Sequence, residues 1–515
     1  MSEQFKQMIE TARRGYSRYK PLFDNLSMAY LCEMNPDILN DLERRGKSHL
    51  FVPAVNAKVK RLHTAFMASY FTNDIFAVLS PDNPDDPQNA AAATAIERAL
   101  RHYQRRKMIN LYRVFDTAFL NVAVKGTCVI KAYWDSALAA PVVEELKLRD
   151  VWFDPEAKNH AELRYVVHRM YIPRAELETL RKLSSFRQDF ELPQAKDSDQ
   201  RLEIFDIYHK EGHDWYISTV LGSVTIRDRQ PLADGLPLFI GTIMPQLTKE
   251  DETDAVEIYG DSPMAALTGL QMEMNILRNQ QLDAIALQMN PKMLVQAGAR
   301  ISPYDLRKGP GTCIPTDNIN SIRILEAPNV TQSEIGIEHN KLEMMEASGV
   351  TEYNAGTDSK VLNGTATGIS ILTDQANQRV AQMIRSLNET LVEPLFRHLA
   401  LLIWRYGESR FYKDLANDRY IDPDLFIQIN TGLGATSPQV HLNGLKVAFD
   451  MLMTPNITPA ALGVLKHILP ILGIKNTQEY INDDELQSKR TESGEADGAS
   501  DGGATGAGGA AKDAD

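Results

Sequence analysis

Two short stretches carry residue types that could do chemistry. Gly260-Asp261-Ser262 sets a serine hydroxyl directly after a carboxylate, as in the nucleophile block of one esterase class. Such a serine becomes a nucleophile only when a histidine takes its proton and a carboxylate orients that histidine. Those esterases carry the block near the N-terminus with a downstream Asp-x-x-His, and no Asp-x-x-His follows this triplet. Helix capping explains it better, with Asp261 or Ser262 as cap and Pro263 in the first turn. His209-Lys210-Glu211-Gly212-His213 gathers two imidazoles and a carboxylate, but at a predicted hairpin turn and without a further ligand beside them. There is no GxxxxGK[ST] phosphate loop and no HExxH. The chain is expected to be no enzyme, with no metal and no cofactor.

A different kind of site is suggested by residues 351–366, TEYNAGTDSKVLNGTA, a run of small and polar residues set beside a long regular helix. A loop of that length inside a folded chain is functional or argues against the assignment. Its single base is Lys360, with Asp358 beside it and neutral Asn354, Thr357, Ser359 and Asn363 around.

The elements that must hold this loop are legible on both sides. Asp261 to Met289 reads as one helix ended by Pro291, and a second covers about 333–348. Between them lies a Gly- and Pro-punctuated segment, 291–328, with strand-like pieces. After the loop, Ile369, Leu372, Ala376, Val380, Met383, Leu387, Leu391 and Leu395 recur every three or four residues. Pro394 removes one ladder hydrogen bond there, so a kink is expected.

Residues to about 125 read as helices, including one over 90–107 striped by Ile96, Leu100 and Tyr103. RHYQRRK (101–107) could contact phosphate or be a solvated helix face near its C-terminal end. From Gly126 to Pro245, CVIKAYW, LRYVVHRMYI, RLEIFDIYH, DWYISTVL and SVTIRD predict short antiparallel strands in a small sandwich or barrel, with a helix inserted at 173–183. LFIQIN (425–430) is strand-like, short apolar helices follow to about 482, and a glycine-rich acidic tail closes the chain.

Composition sets bounds. At 515 residues the chain can hold two or more cores. With 43% hydrophobic and 24% charged residues it is ordinary globular protein. The net charge of −13 argues against a simple nucleic-acid binder with a basic face. Nine acidic and three basic residues lie between 483 and 515, so six of those thirteen excess charges sit in the tail. Three scattered cysteines, Cys32, Cys128 and Cys313, fit a reducing compartment. No secretion signal is read at the N-terminus, and the greasiest run, 395–406, is too short to span a bilayer.

In this order the blocks resemble the portal protein of tailed bacteriophages, the head-to-tail connector, particularly the short-tailed (podovirus) type. The resemblance is carried by YGDSPMAALTGLQMEMNILRNQQLDAIALQMNP and by GTDSKVLNGTATGISILTDQANQRVAQMIRSLNETLVEPLF. Weaker echoes lie in LRDVWFDPEAKNHAELRYVVHRMYI and FIQINTGLG. It covers most of the chain between about 50 and 435.

The resemblance implies an α+β, mainly helical portal fold. Residues 1–260 would be a wing, helical over 1–125 and β-rich over 126–250. Residues 261–289 and 333–350 would be stem helices flanking an α/β clip at 290–332, and 351–366 the tunnel loop. A kinked long helix and return to the wing would take 367–436, a helical crown 437–482, and a disordered acidic tail 483–515. The family forms a ring, typically of twelve subunits, at one capsid vertex of the virion, assembled in the bacterial host cytoplasm. Through it double-stranded DNA is packaged and ejected without sequence specificity, and procapsid assembly can start from it. Expected partners are the terminase large subunit, the major capsid and scaffolding proteins and head-tail adaptor or tail proteins; no membrane is involved. Tunnel-loop residues Asn354, Thr357, Asp358, Ser359, Lys360 and Asn363 would meet the duplex. Glu334, Glu338, Lys341, Glu343 and Glu346 would line the channel. Another head-tail adaptor or ring protein, or an esterase using Ser262, are the alternatives.

Overall fold

The computed structural model describes residues 2–71, 77–81, 87–106, 108–190, 201–246, 257–298, 302, 304, 318–325, 330–349, 378–408, 411 and 425–429. Two compact units divide the chain. The first takes Met1–Met67 and Ala77–Ile429. The second takes Ala68–Phe76 and Asn430–Asp515, of which only residues 68–71 are described, as the end of a helix.

The first unit begins with helices α1 (Ser2–Leu31), α2 (Pro36–Arg44) and α3 (Ala54–Phe71). Strand β1 (Ala77–Pro81) precedes α4 (Pro87–Arg105) and α5 (Leu111–Lys125). In α1, Phe5, Ala12, Tyr16, Tyr19, Phe23 and Leu26 are buried at helical spacing. Ile96, Leu100 and Tyr103 form the buried stripe of α4, as their period predicts. One part of this region departs from the all-helical expectation: β1 pairs antiparallel with β12 (Leu425–Ile429), the strand expected at 425–430. A strand completed from so far along the chain leaves no local periodicity to read.

The β-rich stretch holds β2 (Thr127–Asp135), β3 (Ala140–Leu146), β4 (Val151–Phe153), β5 (Tyr165–Pro173), then α6 (Arg174–Leu180) where a helix was expected. After it come β6 (Arg201–Glu211), β7 (Asp214–Leu221), β8 (Val224–Leu232) and β9 (Leu238–Thr242). All pairings are antiparallel, in a three-stranded sheet β3-β2-β9 and a five-stranded sheet β4-β5-β6-β7-β8. One core is shared by the two sheets: Val129, Leu146, Leu238 and Ile240 meet Trp152, Phe153, Val166 and Val167. Of the two forms anticipated, a sandwich and a barrel, this is the sandwich. Helix α1 covers it with Tyr16, Tyr19 and Phe23, whose rings surround Tyr259 at 5.0–6.4 Å.

Helix α7 (Leu267–Met289), strands β10 (Met293–Val295) and β11 (Ile322–Ile324), and helix α8 (Thr331–Ser348) follow. Beyond them come helical residues 378–387, a π turn at Asn388–Val392 and α9 (Glu393–Tyr406). Strands β10 and β11 pair antiparallel, so the segment between the two helices has the strand character its sequence suggests. Where the sandwich hands over to α7 the chains nearly touch. A Cβ on Gly126, whose φ is +76°, would strike the Asp261 carbonyl, and one on Gly260 would strike backbone carbonyls of Gly126 and Met244. Only glycine fits that crossing.

Candidate functional site

Helix α7 begins later than expected. Residues 263–266 form turns, closed by Ala265 N–H to Ser262 C=O (2.9 Å) and Leu267 N–H to Met264 C=O (3.0 Å). Ser262 therefore caps a turn rather than the helix. Its Oγ accepts from Met264 N–H (3.1 Å) and donates to the Val124 carbonyl (2.7 Å), in a site 4% exposed. With its proton committed to a backbone carbonyl, this hydroxyl locks the α5 terminus to the start of α7. His209, the other chemical candidate, lies buried between the rings of Phe5 and Tyr216, 3.5 Å from Glu211 two residues further along β6. Among the described residues no group of His, Cys, Asp or Glu is arranged to hold a metal.

The polar residues of α7 do something the sequence did not reveal. Gln271, Asn275, Asn279 and Asp283 recur every fourth residue, which stacks them along one helix face. That face grips the backbone of 48–55. Gln271 accepts from Val55 N–H (3.1 Å) and donates to Val52 C=O (2.7 Å), and Asn275 accepts from Val52 N–H (2.9 Å). Asn279 accepts from Leu50 N–H (2.7 Å) and donates to Leu50 C=O (2.9 Å), and Asp283 accepts from Ser48 N–H (2.9 Å). Partial burial pushes the Asp283 carboxyl up, but the Ser48 hydrogen bonds and Lys47 outweigh it and leave its pKa below the usual value. Among the described residues this stretch has no strand partner, and its amides and carbonyls are satisfied by side chains. No pattern in one sequence pairs residues this far apart.

Helix α8 packs along α7. Gly336 lets Leu277 approach, and Gln281 donates to Glu334 (3.3 Å). Asn340, Met344 and Ser348 are its buried residues. The five charged candidates on α8 are all exposed, but they fall into two groups. Glu334, Glu338 and Lys341 border the α7 junction, lining a groove of about 530 Å³ with Val52, Met274 and Arg278, and Lys341 pairs with Glu338 at 2.7 Å. By helix geometry, Glu346 points away from α7, on the side that also exposes Ile335 and Leu342, while Glu343 lies on the flank opposite Lys341.

Asn354, Thr357, Asp358, Ser359, Lys360 and Asn363 lie outside the described residues, as do the crown 437–482, the tail 483–515 and Cys313. The two roots of the 350–377 segment are described, and they are fastened to each other. Gly349 ends α8 with φ +66° and donates to Met345 C=O (3.0 Å). Arg379, at the far root, lays its side chain over Gly349 and donates from Nη1 to Glu346 C=O (3.0 Å). A side chain at position 349 would displace it. Beside this clasp opens a cavity of about 610 Å³ whose walls include Met244, Asp261, Ser262, Ser348, Gln382 and Met383.

From Val380 on, the long helix carries its expected stripe, with Val380, Met383, Leu387, Leu391 and Leu395 all buried; Ile369, Leu372 and Ala376 lie outside the described residues. At Pro394 the accommodation is a widened turn just before the proline. Residues 388–392 are π-helical, with Glu393 N–H bonded to Asn388 C=O. The proline then stands at the start of α9, where its missing donor costs little. The wide turn seats on β9. Thr390 Oγ1 accepts from Thr242 N–H (3.1 Å), and Ser386 Oγ donates to Thr242 C=O (3.0 Å). No described helix is long and apolar enough to cross a membrane.

The family model described as phage SU10 portal protein matches residues 219–499. Among solved structures, the neck of an empty GTA particle computed with C6 symmetry is similar, at 12% identity and a TM-score of 0.37, over 82% of this chain and 90% of that one. No curated protein matches the sequence.

Proposed function

The chain belongs to the phage SU10 portal protein family, and from that membership we propose that identical copies close into a ring, of about twelve as in the family, that conducts double-stranded DNA during packaging and ejection. Membership gives a virion component with a portal, or head-tail connector, role. In our reading 1–260 is wing, α7 and α8 are the stem, 290–332 is the clip that meets the terminase and later the tail, and 351–366 is the tunnel loop. Residues 367–436 return to the wing, 437–482 are crown, and 483–515 an acidic tail. Capsid and scaffolding proteins are its further partners, in particles assembled in the host cytoplasm.

A conduit must confine a polyanion without gripping it. Each Lys or Arg that engages a phosphate releases counterions and adds affinity, so a strongly basic wall would hold the duplex in place. The observation that carries the reading is the surface of α8, where exposed Glu334, Glu338, Glu343 and Glu346 stand against Lys341 alone. In the tunnel loop one lysine, Lys360, beside Asp358, would give weak, sequence-blind contact.

End-on images and light scattering of the purified protein test the assembly: a holed ring many times the mass of one chain is expected. A chain that stays monomeric at high concentration with its assembly partners present would defeat the proposal. Lys360→Ala is expected to leave the ring intact and to change the amount of DNA packaged or retained. Unchanged packaged length and phage yield would remove Lys360 from the contact.

A further inference from the structure

The second half of α4 presents a charged groove that neither the stem nor the tunnel loop accounts for. Arg98, Arg101 and Arg105 are spaced three and four residues apart, so they fall on one helix face, with His102 beside them. All three arginines are exposed, and with Thr94, Glu97, His102 and Phe411 they line a concavity of about 520 Å³. Among the described residues Glu97 is its one acidic wall residue, and it is paired with Arg101. Among the described residues Arg98 and Arg105 have no ion-pair partner. The rings of His102 and Phe411 lie 5.4 Å apart and close one side of the groove.

Cations in the last turn of a helix complement its carbonyl end, which accounts for His102 and Arg105. Arg98 stands about two turns earlier, beyond that influence, and turns an end effect into a row. At ~1.5 Å per residue the row spans roughly 10 Å. Phosphates of one duplex strand advance ~3.4 Å each along the axis, so about three would lie along it. Guanidinium forks suit phosphate oxygens two at a time.

We propose that this groove binds the sugar-phosphate backbone of double-stranded DNA, without regard to sequence, on the protein body rather than in its conduit. The inference rests on the DNA-handling reading of the chain, while that reading stands without it. The acidic residues of 483–515 are the competing occupant, but their carboxylates are dispersed irregularly among glycine and alanine.

The test compares the assembled protein with its R98A/R101A/R105A variant, using anisotropy of a labelled 30-base-pair duplex over a series of salt concentrations. The variant is expected to bind at least tenfold more weakly at low salt. Its slope of log affinity against log salt should shrink by roughly two to three, since each neutralised phosphate contributes about 0.9. R98K/R101K/R105K should recover most of that slope. Equal affinity and slope for parent and alanine variant would overturn the proposal. So would binding of a synthetic 483–515 peptide that requires these arginines while DNA affinity does not. Ring formation, read by light scattering on the same samples, separates the outcomes: intact rings with unchanged DNA binding sink the groove alone, and absent rings sink the conduit.

Discussion

At the scale of single residues, Glu145 holds its carboxyl in an environment unfavourable to charge. It stands on β3 beside α5, where partial burial pushes its carboxyl up to about 7 although Asn121 donates to it at 2.8 Å and Lys125 and Lys147 pull the other way. The folded pKa lies above the ordinary value of 4.5, so between those limits the native state binds more protons than the unfolded one. Stability from this group therefore falls as pH rises through that window. Burial lowers His168 to about 4, which acts in the opposite sense between there and 6.5, so only the difference between single variants isolates Glu145. Glu145→Gln keeps an acceptor for Asn121 and removes the charge. Thermal melts should show the variant more stable at pH 8, by about 1–2 kcal/mol after allowing for its partial exposure, with the gap closing near pH 5. A gap of the reverse sign at pH 8 would mean that attraction to Lys125 outweighs desolvation.

At the scale of elements, the ladder of α7 on 48–55 makes a sharp forecast. Asn279→Ala leaves both the amide and the carbonyl of Leu50 without their partner. Two partly buried orphaned groups cost roughly 2–4 kcal/mol, and the Leu50 amide should exchange its hydrogen much faster. Gln280→Ala, on the exposed face, should change neither. Unaltered exchange at Leu50 would show that the segment is held by packing instead. The long helix over 378–406 was legible because apolar spacing reports a buried stripe, as Leu387, Leu391 and Leu395 illustrate, and α7 through the turn and proline signals at its ends. The role of Gln271, Asn275 and Asn279 was not. Amide side chains look alike whether they face solvent, a ligand or a distant backbone, so nothing in the sequence marks one face of α7 as a clamp. Likewise Pro394 announced a lost hydrogen bond, but only packing against Thr242 selects a π turn to absorb it.

At the scale of the whole molecule, the outer side of α8 is the feature a lone chain does not explain. Ile335 and Leu342 are 56% and 62% exposed on the helix face turned from α7, with Glu346 near them. Large exposed apolar side chains grouped on one face mark contact surfaces. If Ile335 and Leu342 contact the next copy in the proposed ring, Leu342→Asp should raise the concentration needed for assembly at least tenfold, by light scattering, while far-ultraviolet dichroism is unchanged. Rings forming at the parental concentration would place Leu342 elsewhere. The Arg379 clasp has a separate consequence for how such a chain can diversify. Because the residues on either side of 350–377 are riveted to each other, the body supplies the closure whatever lies between. Doubling the length of a connection costs only about 0.6 kcal/mol in chain entropy. Splicing a few residues into that stretch, or deleting a few, should therefore leave the scaffold's melting almost untouched, whereas Arg379→Ala would let the same edits loosen the end of α8.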